Sequence, residues 1–307
     1  MTLRLTFLGT AGAVPTTERN VSGLHVNRDG DQLLFDAGEG TQRQLMRYGA
    51  GFAVSDVFVT HLHGDHVYGL PGLLETWAFN DRSEPLVIHT PPGTRPDLVN
   101  LLTAVGGWPG YPVDVVEASP GATVYESEEY SVRAVATDHR TRSVGYALVE
   151  ADRRGRFDRE RAEELGVPVG PAFSTLHSGE PVELADGTVV TPDEVVGPPR
   201  PGRTVVYSGD TRPCDTVVDA AEGAEVLIHD GTFLSEHADR AQETSHTTAL
   251  EAAEIAARAG VDHLVLTHVS SRYAGEGERL AQEAGERFDG EVTVARDGLT
   301  IDVPLPE

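Results

Sequence analysis

The chain has 307 residues, with 24 basic against 49 acidic side chains and a formal net charge of −25. All of the basic side chains are arginine, and the sequence contains no lysine. An acidic surface without the flexible, strongly hydrated lysine side chain suits molar salt, in which charge repulsion is screened within a few ångströms. The composition therefore indicates the protein of a halophile, although drift in a GC-rich genome would give a similar bias.

The same composition excludes several classes of protein. Hydrophobic residues make up 39% of the chain, which is enough for a folded core. Cys214 is the only cysteine, so an internal disulfide framework is excluded and a reducing cytoplasm is expected. No apolar run approaches the roughly 20 residues that span a bilayer, so we expect no membrane partner. The acidic charge, taken alone, argues against nucleic acid as a partner.

Short β patterns separated by Gly, Pro and Asp turns occur along the whole chain, among helical patterns, which predicts an α/β fold. Strands are predicted at 3–8, 24–26, 33–35, 57–60, 86–89, 131–136, 144–149, 204–207, 226–229, 263–267 and 292–295. Helices are predicted at 41–48, 66–79, 95–105 and 247–259. We expect Ser245 to cap the amino end of the last helix.

One stretch of the chain differs from the rest in charge. Residues 153–161 contain five arginines against Asp158 and Glu160, a net charge of +3, and a segment punctuated by Gly and Pro follows at 166–202. This region has its own alternating patterns, so we predict one domain over 1–307 with an insertion at about 150–200. An arginine run beside acidic residues is often a solvated helix face, and phosphate contacts are the other interpretation.

The strongest chemical signal is the hexapeptide at 61–66, His-Leu-His-Gly-Asp-His, directly after the predicted strand 57–60. The period of two in a strand puts His61 and His63 on the same side, and Gly64 lets the chain turn before Asp65 and His66. Imidazole and carboxylate are ligands that zinc accepts. A histidine-rich surface turn is the alternative, but four ligand-type side chains after a buried strand favour a metal site.

Other ligand-type residues follow further predicted strands. His139, Asp210, Asp230 and His268 all occupy such positions, and in an α/β sheet the strand ends gather at one edge. Each alone could be a hydrogen-bonded turn residue. One tetrahedral zinc cannot use all of the candidate ligands, which are His61, His63, Asp65, His66, His139, Asp210 and His268. They predict two metal ions with a bridging carboxylate, an arrangement suited to phosphodiester hydrolysis; manganese could occupy the same ligands.

The pattern His-x-His-x-Asp-His with the downstream His, Asp and His resembles the metallo-β-lactamase superfamily over nearly the whole chain. This resemblance implies a four-layer αβ/βα sandwich with a di-zinc site between two sheet edges. Local motifs at 7–10, 34–45, 246–248 and 266–273 resemble the short form of ribonuclease Z, the tRNA 3′-processing endonuclease family. The insertion, with Gly170 and Pro171, resembles the flexible arm with which that family grips the elbow of tRNA.

The resemblance to ribonuclease Z also implies a role for each site residue. One zinc would be held by His61, His63 and His139, and the other by Asp65, His66 and His268, with Asp210 as the bridge. Asp65 would act as general base, and His246, oriented by Asp230, as the acid for the leaving 3′ oxygen. The tRNA contacts implied by family position or by positive charge are Arg19, Asn20, Arg140, Arg153, Arg154, Arg156, Gly170 and Pro171. The family is typically a homodimer.

The sequence departs from the family at two positions that matter for this chemistry. Thr17 stands where the loop at 15–20 has a lysine, and Asp230 replaces a glutamate that is one methylene longer. Simpler roles remain open for some residues: His246 as a helix cap, Asp230 as a turn residue and Asp36 as a turn beside the site. Trp77 and Trp108 are expected in the core.

Three classes of function compete at this point. The first is a zinc-dependent endoribonuclease that removes the 3′ trailer from precursor tRNA. The second is a small-molecule phosphodiesterase or arylsulfatase-type hydrolase on the same fold, which would not need the insertion. The third is a binding or scaffold protein, which should have lost metal ligands, whereas all seven are present.

Overall fold

The computed structural model describes residues 1–104 and 107–306. These residues form two compact units. The larger unit comprises residues 1–149 and 203–304, and the smaller unit comprises residues 150–202 with the end of the chain from Leu305. None of the helices in the described part of the chain is both long and apolar enough to cross a membrane.

The strands and helices follow one another along the chain with short connections. The strands are β1 (Leu3–Gly9), β2 (Ala11–Gly12), β3 (Gly23–Arg28), β4 (Asp31–Phe35), β5 (Val54–Phe58), β6 (Leu86–Thr90), β7 (Val113–Glu117), β8 (Thr123–Glu126), β9 (Tyr130–Ala136), β10 (Val144–Glu150), β11 (Val182–Glu183), β12 (Val189–Val190), β13 (Thr204–Tyr207), β14 (Val226–Asp230), β15 (His263–Thr267), β16 (Val269–Ser270), β17 (Glu291–Val294) and β18 (Thr300–Asp302). The helices are α1 (Thr41–Tyr48), α2 (Gly64–Val67), α3 (Leu70–Phe79), α4 (Arg95–Thr103), α5 (Arg159–Glu164), α6 (Pro171–His177), α7 (Asp215–Ala220), α8 (Ala238–Thr244), α9 (Ala249–Ala259) and α10 (Gly277–Ala284).

Within the described residues, two seven-stranded sheets form the larger unit. Their strand orders are β18-β1-β3-β4-β5-β6-β7 and β17-β15-β14-β13-β10-β9-β8. One apolar cluster joins the inner faces of both sheets and includes Phe35, Phe58 and Tyr146. Another apolar cluster lies between the first sheet and helices α1, α3 and α4. A further apolar cluster lies between the second sheet and helices α7, α9 and α10. The predicted four-layer αβ/βα sandwich is confirmed.

Helix α9 shows why these layers form. Its buried residues, such as Ala249, Ala252, Ala253 and Ala256, recur at intervals of three and four, which puts them on one helix face. That apolar face packs on the second sheet, and the small alanine side chains let the helix approach closely. The helix ends at Gly260, whose left-handed conformation (φ of +65°) suits glycine.

The parallel strands of the two sheets bring several loops to one region. Strands β4, β5, β6 and β7 pair in parallel in the first sheet, and β13, β14, β15 and β17 in the second. Parallel strands place their carboxyl ends at the same sheet edge, so the loops after them can meet. Most of the predicted ligand-type residues lie at or after the carboxyl ends of β5, β13, β14 and β15, and His139 follows β9 of the second sheet.

The helix predicted at 66–79 is wrong as one continuous element, because the structure has α2 and α3 instead. The interruption lies at Gly69, whose N–H donates to the carbonyl of Ala37 at 2.8 Å. A Cβ atom at Gly69 would lie 2.1 Å from the carbonyl oxygen of Gly38. The close approach of residues 37–38 therefore bends the chain away from a continuous helix and requires glycine there.

Two further expectations are corrected or limited by the structure. Trp77 is buried and its indole N–H donates to the carbonyl of Phe52, as expected of a core residue, but Trp108 is 46% exposed and does not lie in the core. Helix α4 ends at Thr103, and the last residue of the predicted helix 95–105, Val105, lies outside the described residues.

The smaller unit has its own apolar core. Helices α5 and α6 and the hairpin β11–β12 surround the buried side chains of Ala162, Val167, Leu176, Val190 and Val195. Asp158 caps α5 by accepting a hydrogen bond from the N–H of Arg161 at 2.9 Å. Helix α6 begins at Pro171, in the first turn, where the missing N–H of proline is tolerated.

Candidate metal centre

The structure brings the seven predicted metal ligands together in the larger unit. The turn after β5 supplies His61, His63, Asp65 and His66, and the loops after β9, β13 and β15 supply the other three, which are His139, Asp210 and His268. Their donor atoms fall into groups within 4.8 Å of one another. One group contains the histidine set (His61, His63 and His139) with Asp210, and another is the mixed set (Asp65, His66 and His268).

In the histidine set, ring nitrogens converge on one point. His61 Nε2 lies 2.9 Å from His63 Nδ1, which in turn lies 3.4 Å from His139 Nε2. The opposite nitrogen of His139, Nδ1, donates to the carbonyl oxygen of Ser245 at 2.8 Å. That bond fixes the tautomer of His139, so its Nε2 carries a lone pair toward the other two rings. Such converging nitrogens suit a shared cation.

The protonation of the histidine set supports the same use. Burial lowers the pKa of His61 well below the usual histidine value and lowers the pKa of His63 to about 4. Burial also lowers the pKa of His139. All three imidazoles are therefore neutral at neutral pH, which is the form that binds metal ions.

In the mixed set, two histidines point Nε2 toward carboxylates. His66 Nε2 lies 3.4 Å from Asp210 Oδ2 and 3.6 Å from Asp65 Oδ2, and His268 Nε2 lies 3.3 Å from each. Burial works against the charged form of His66, but the carboxylates of Asp210 and Asp36 outweigh it and hold the pKa of His66 well above its usual value. This part of the site thus favours a positive charge.

Asp210 connects the two sets. Its Oδ2 lies 3.6 Å from His61 Nε2 as well as 3.4 Å from His66 Nε2 and 3.3 Å from His268 Nε2. Burial opposes ionisation, yet the positive charges of His268 and His66 hold the pKa of Asp210 well below its usual range. A buried carboxylate between two groups of imidazoles is the feature expected of a bridging ligand.

Asp36 orients the ring of His66 through Nδ1, the nitrogen opposite the one that faces the other ligands. Its Oδ2 lies 2.8 Å from His66 Nδ1 and accepts the hydroxyl of Tyr207 at 3.0 Å, and its Oδ1 accepts the N–H of Thr60 at 2.8 Å. Asp36 was predicted beside the site, whereas Thr60 and Tyr207 were not predicted there. The sequence did carry a signal for both residues, because each lies where a strand ends. Thr60 directly precedes His61, and Tyr207 precedes the loop that carries Asp210.

His246 and Asp230 form the predicted pair. His246 Nδ1 lies 2.8 Å from Asp230 Oδ2, so the side chain that is one methylene shorter than in the family still reaches. The other oxygen of Asp230 accepts the N–H and hydroxyl of Thr232 at 3.0 and 2.6 Å. Burial lowers the pKa of His246, but the carboxylate of Asp230 outweighs it and raises this pKa to about 9. His246 is therefore protonated at neutral pH.

Neither His246 nor Ser245 caps the amino end of α9. The predicted N-cap is wrong because Ser245 adopts a left-handed conformation, with φ of +59°, at the end of α8. Helix α9 is capped instead by Thr248, whose hydroxyl accepts the N–H of Glu251, while Glu251 accepts the N–H of Thr248. The side chain of His246 is thus free of a capping role.

The predicted tRNA contacts of the larger unit differ in their surroundings. Arg140 is exposed, and its positive charge helps to lower the pKa of His63, which puts it near the ligands. The guanidinium of Arg19 donates to the hydroxyl of Thr10 at 2.7 Å and to a backbone carbonyl, and the amide of Asn20 donates to the carbonyl of Glu39 at 2.9 Å. These intramolecular bonds use part of the hydrogen-bonding capacity of Arg19 and Asn20, and their phosphate contacts stay predictions.

The predicted tRNA contacts of the smaller unit are mostly polar side chains on its surface. Arg153 and Arg154 donate to backbone carbonyls within the unit, the latter to His177 at 2.6 Å. Arg156 is exposed. Gly170 has φ of +137° and precedes Pro171, the first residue of α6.

The chemistry of the donor set fits divalent metal ions. Five buried or half-buried imidazoles and two carboxylates face common points. In four of the imidazoles the other ring nitrogen is hydrogen-bonded to Thr60, Asp36, Ser245 or Thr232. Such outer bonds fix the tautomer and the orientation of metal-binding histidines. Asp230, whose oxygens are taken by His246 and Thr232, is better suited to orient His246 than to bind a metal ion.

Comparison with known proteins agrees with the fold and the site. Residues 3–103 match the family described as anti-Pycsar protein Apyc1, and residues 175–269 match the beta-lactamase superfamily domain. The chain is 64% identical over 307 residues to ribonuclease Z of Halobacterium salinarum, covering all of this chain and 99% of the relative. Ribonuclease Z of Natronomonas pharaonis is 59% identical, with complete coverage of both chains.

A solved structure gives the same assignment at lower identity. The crystal structure of human tRNase Z, short form, matches with a TM-score of 0.70 and 28% identity, over 98% of this chain and 99% of the human one. Full-length identity of this size, together with the metallo-β-lactamase fold, shows the family. The chain belongs to ribonuclease Z, the family of metal-dependent endoribonucleases with a metallo-β-lactamase fold that process the 3′ ends of tRNA.

Proposed function

We propose that this protein removes the 3′ trailer from precursor tRNA with two zinc ions, leaving a 3′ hydroxyl on the tRNA and a 5′ phosphate on the trailer. The observation that carries the proposal is the convergence of seven ligand side chains in two sets that share Asp210. When bound, the ions would supply a water of lowered pKa and stabilise charge on the phosphate. Manganese is the alternative metal.

Each ligand has a proposed place. The histidine set would hold one ion, the mixed set the other, and Asp210 would contact both. Support comes from neutral imidazoles in the first set and from an excess of negative charge in the second. The proposed arrangement needs no movement of strands, because all seven side chains already face one region.

Two residues would move protons. Asp65, whose Oδ2 accepts the N–H of Ala13 at 3.0 Å, would orient the attacking water and take its proton. The new bond forms between the water oxygen and phosphorus, and the bond from phosphorus to the tRNA 3′ oxygen breaks. His246 would give its Nε2 proton to that leaving oxygen, since Nδ1 is bonded to Asp230. The raised pKa of His246, about 9, keeps the acid protonated at neutral pH.

The smaller unit would be the tRNA-binding arm inserted at about 150–200 in a chain that is otherwise a single domain. Arg153, Arg154 and Arg156 would contact backbone phosphates, which position an RNA without reading its sequence. Their support is charge: residues 153–161 carry a net charge of +3 in a chain of −25. Gly170 and Pro171 would shape the arm, and Arg19, Asn20 and Arg140 remain candidates for contacts in the larger unit.

We also propose a homodimer that works in a cytoplasm of high salt. The halophilic assignment is supported by the lysine-free, acidic composition and by relatives from Halobacterium and Natronomonas. The homodimer is carried over from the family, and molecular mass measured by light scattering in molar KCl would test it.

The experiment for the proposed function is cleavage of a 3′-extended tRNA precursor in molar KCl with zinc or manganese. The expected products are a mature-length tRNA with a 3′ hydroxyl and a trailer with a 5′ phosphate. A protein that binds metal and hydrolyses bis(p-nitrophenyl) phosphate but leaves the precursor intact would contradict the proposal. That outcome would favour a small-molecule phosphodiesterase or arylsulfatase-type hydrolase.

A further inference from the structure

The short segment that carries His246 is held at each of its residues. The carbonyl of Ser245 accepts the Nδ1 proton of His139 at 2.8 Å, and the hydroxyl of Thr247 donates to the carbonyl of Thr211. Thr248 caps α9. His246 itself is held at both of its backbone groups: its N–H donates to the carbonyl of Ala241 at 2.8 Å, and its carbonyl accepts a hydrogen bond from the guanidinium of Arg212.

Arg212 is fixed in turn by Glu251, in the first turn of α9. Two guanidinium nitrogens reach the carboxylate, with distances of 2.5 and 3.1 Å, which is the bidentate geometry that suits arginine. The backbone N–H of Arg212 donates to the carbonyl of Asp138 at 2.7 Å. Glu251 also accepts the N–H of Thr248 at 2.9 Å. One planar group thus joins the loop after β13, the carbonyl of His246 and the start of α9.

The backbone before His246 is held by the end of α8, where the N–H groups of Ser245 and His246 donate to the carbonyls of Gln242 and Ala241 at 3.2 and 2.8 Å. Ser245 has φ of +59°, a left-handed conformation that is unfavourable for a side chain with a Cβ atom and persists where surrounding contacts impose it. Asp230 orients the imidazole ring but makes no contact with the backbone of His246 among the described residues. The position of the ring therefore depends on the backbone contacts of this segment: the end of α8 holds the N–H of His246, and Arg212 holds its carbonyl.

We propose that the ion pair of Arg212 and Glu251 positions His246 for transfer of its proton to the leaving 3′ oxygen. This inference rests on the proposed function, in which His246 is the acid. Arg212 is a positioning residue, because it acts through the carbonyl of His246. A displacement of about 1 Å of a group that takes part in the reaction can lower the rate about a hundredfold.

The test compares two substrates that differ in their need for an acid. The leaving group of precursor tRNA is the 3′ alkoxide of the tRNA, which needs a proton. The leaving group of bis(p-nitrophenyl) phosphate is p-nitrophenolate, which is stable without one. With Arg212→Gln in the full chain at saturating zinc, we expect kcat on precursor tRNA to fall roughly tenfold to a hundredfold. KM for the precursor tRNA should change little, and so should both kcat and KM for the nitrophenyl ester. A loss of general structure would lower activity on both substrates.

Matched variants control for charge and folding. Arg258→Gln removes an exposed arginine whose partner is Asp215 at 2.6 Å, outside the site, and should leave both activities unchanged. Arg212→Lys keeps the positive charge but lacks the planar guanidinium that bonds a carboxylate through two nitrogens. Its kcat on precursor tRNA should therefore lie between those of Arg212→Gln and the unchanged protein. If thermal unfolding shows that Arg212→Gln does not fold, Glu251→Gln provides the same test from the other partner.

Three outcomes distinguish the positioning role of Arg212 from the proposed acid role of His246. Equal loss on both substrates, or no loss on either, would overturn the positioning role of Arg212. His246→Ala is the reference: a selective loss with His246→Ala but none with Arg212→Gln would reject the inference and leave the acid role intact. No selective loss with His246→Ala would reject the acid role itself.

Discussion

The metal centre of the larger unit and the arginine-rich surface of the smaller unit are built in opposite ways. At the centre, His61, His66 and Asp210 are almost completely buried, and each is held by further bonds or charges. On the smaller unit, Arg156 is exposed and the core beneath consists of a few apolar side chains. Rigid burial sets distances between ligands, whereas exposed charge adapts to a large partner. The first should serve the chemistry on any substrate, and the second should serve tRNA alone.

The largest expected effect comes from Asp210→Asn, which removes the carboxylate shared by both ligand sets. We expect kcat to fall about a thousandfold on both precursor tRNA and bis(p-nitrophenyl) phosphate, because metal ions supply several kcal/mol of charge stabilisation. Zinc content should fall as well, measured by elemental analysis of the purified protein. Asp215→Asn, an exposed acid outside the centre, is the control. Full activity in the Asp210 variant would remove this residue from the site.

A smaller loss on both substrates is expected for Asp36→Asn, which weakens the bond to His66 Nδ1 without removing a ligand. Metal affinity should fall roughly tenfold to a hundredfold, as is usual for partners that orient metal-binding histidines. Raising the zinc concentration should restore kcat. Titration with a metal chelator measures the effect, with Asp31→Asn as the control; unchanged affinity would show that His66 does not need this carboxylate.

A loss confined to tRNA is expected when Arg154 and Arg156 are both changed to Gln. KM for precursor tRNA should rise about tenfold or more, since a hydrogen bond to a charged group contributes about 1.5–3 kcal/mol. Hydrolysis of the nitrophenyl ester should not change. The matched control is the double variant Arg159→Gln and Arg161→Gln, in which the lost arginines pair with Glu163 and Glu164 on α5. Equal effects of the two double variants would argue against specific phosphate contacts.

The smallest effect is expected from salt. A basic RNA-binding protein that makes 6–10 phosphate contacts loses about 10³–10⁵ in affinity between low and moderate salt. With a net charge of −25, this protein gains little from global attraction, so kcat/KM on precursor tRNA should persist or rise in molar KCl. The measurement is a series of cleavage rates across KCl concentration, and a steep fall would show that counterion release dominates binding after all.

Strong local patterns predicted much of the fold. Helix α1 and strands β13 and β15 have the predicted bounds, because their apolar spacing is regular. Gly49 also ends α1, and Ser208 and Gly209 follow β13 directly. The short helices α7, α8 and α10 and the edge strands β7 and β8 were not predicted. Helices α7 and α8 are only six and seven residues long, and α10 buries only Leu280 and Ala284. Strands β7 and β8 lie at sheet edges, where few of their side chains are buried, so their apolar patterns are weak.

The sequence by itself determined the ligand types, their order along the chain and their place after strands, because these depend on residue identity and on a period of two. It also carried the resemblance that assigned the family. The tertiary structure alone decided that Asp210 lies between two sets of imidazoles and that Asp36 supports His66. It also showed that Asp230 reaches His246 and that Arg212 anchors its backbone. These contacts join residues far apart in the chain, and packing two sheets into one sandwich is what brings them within hydrogen-bonding distance.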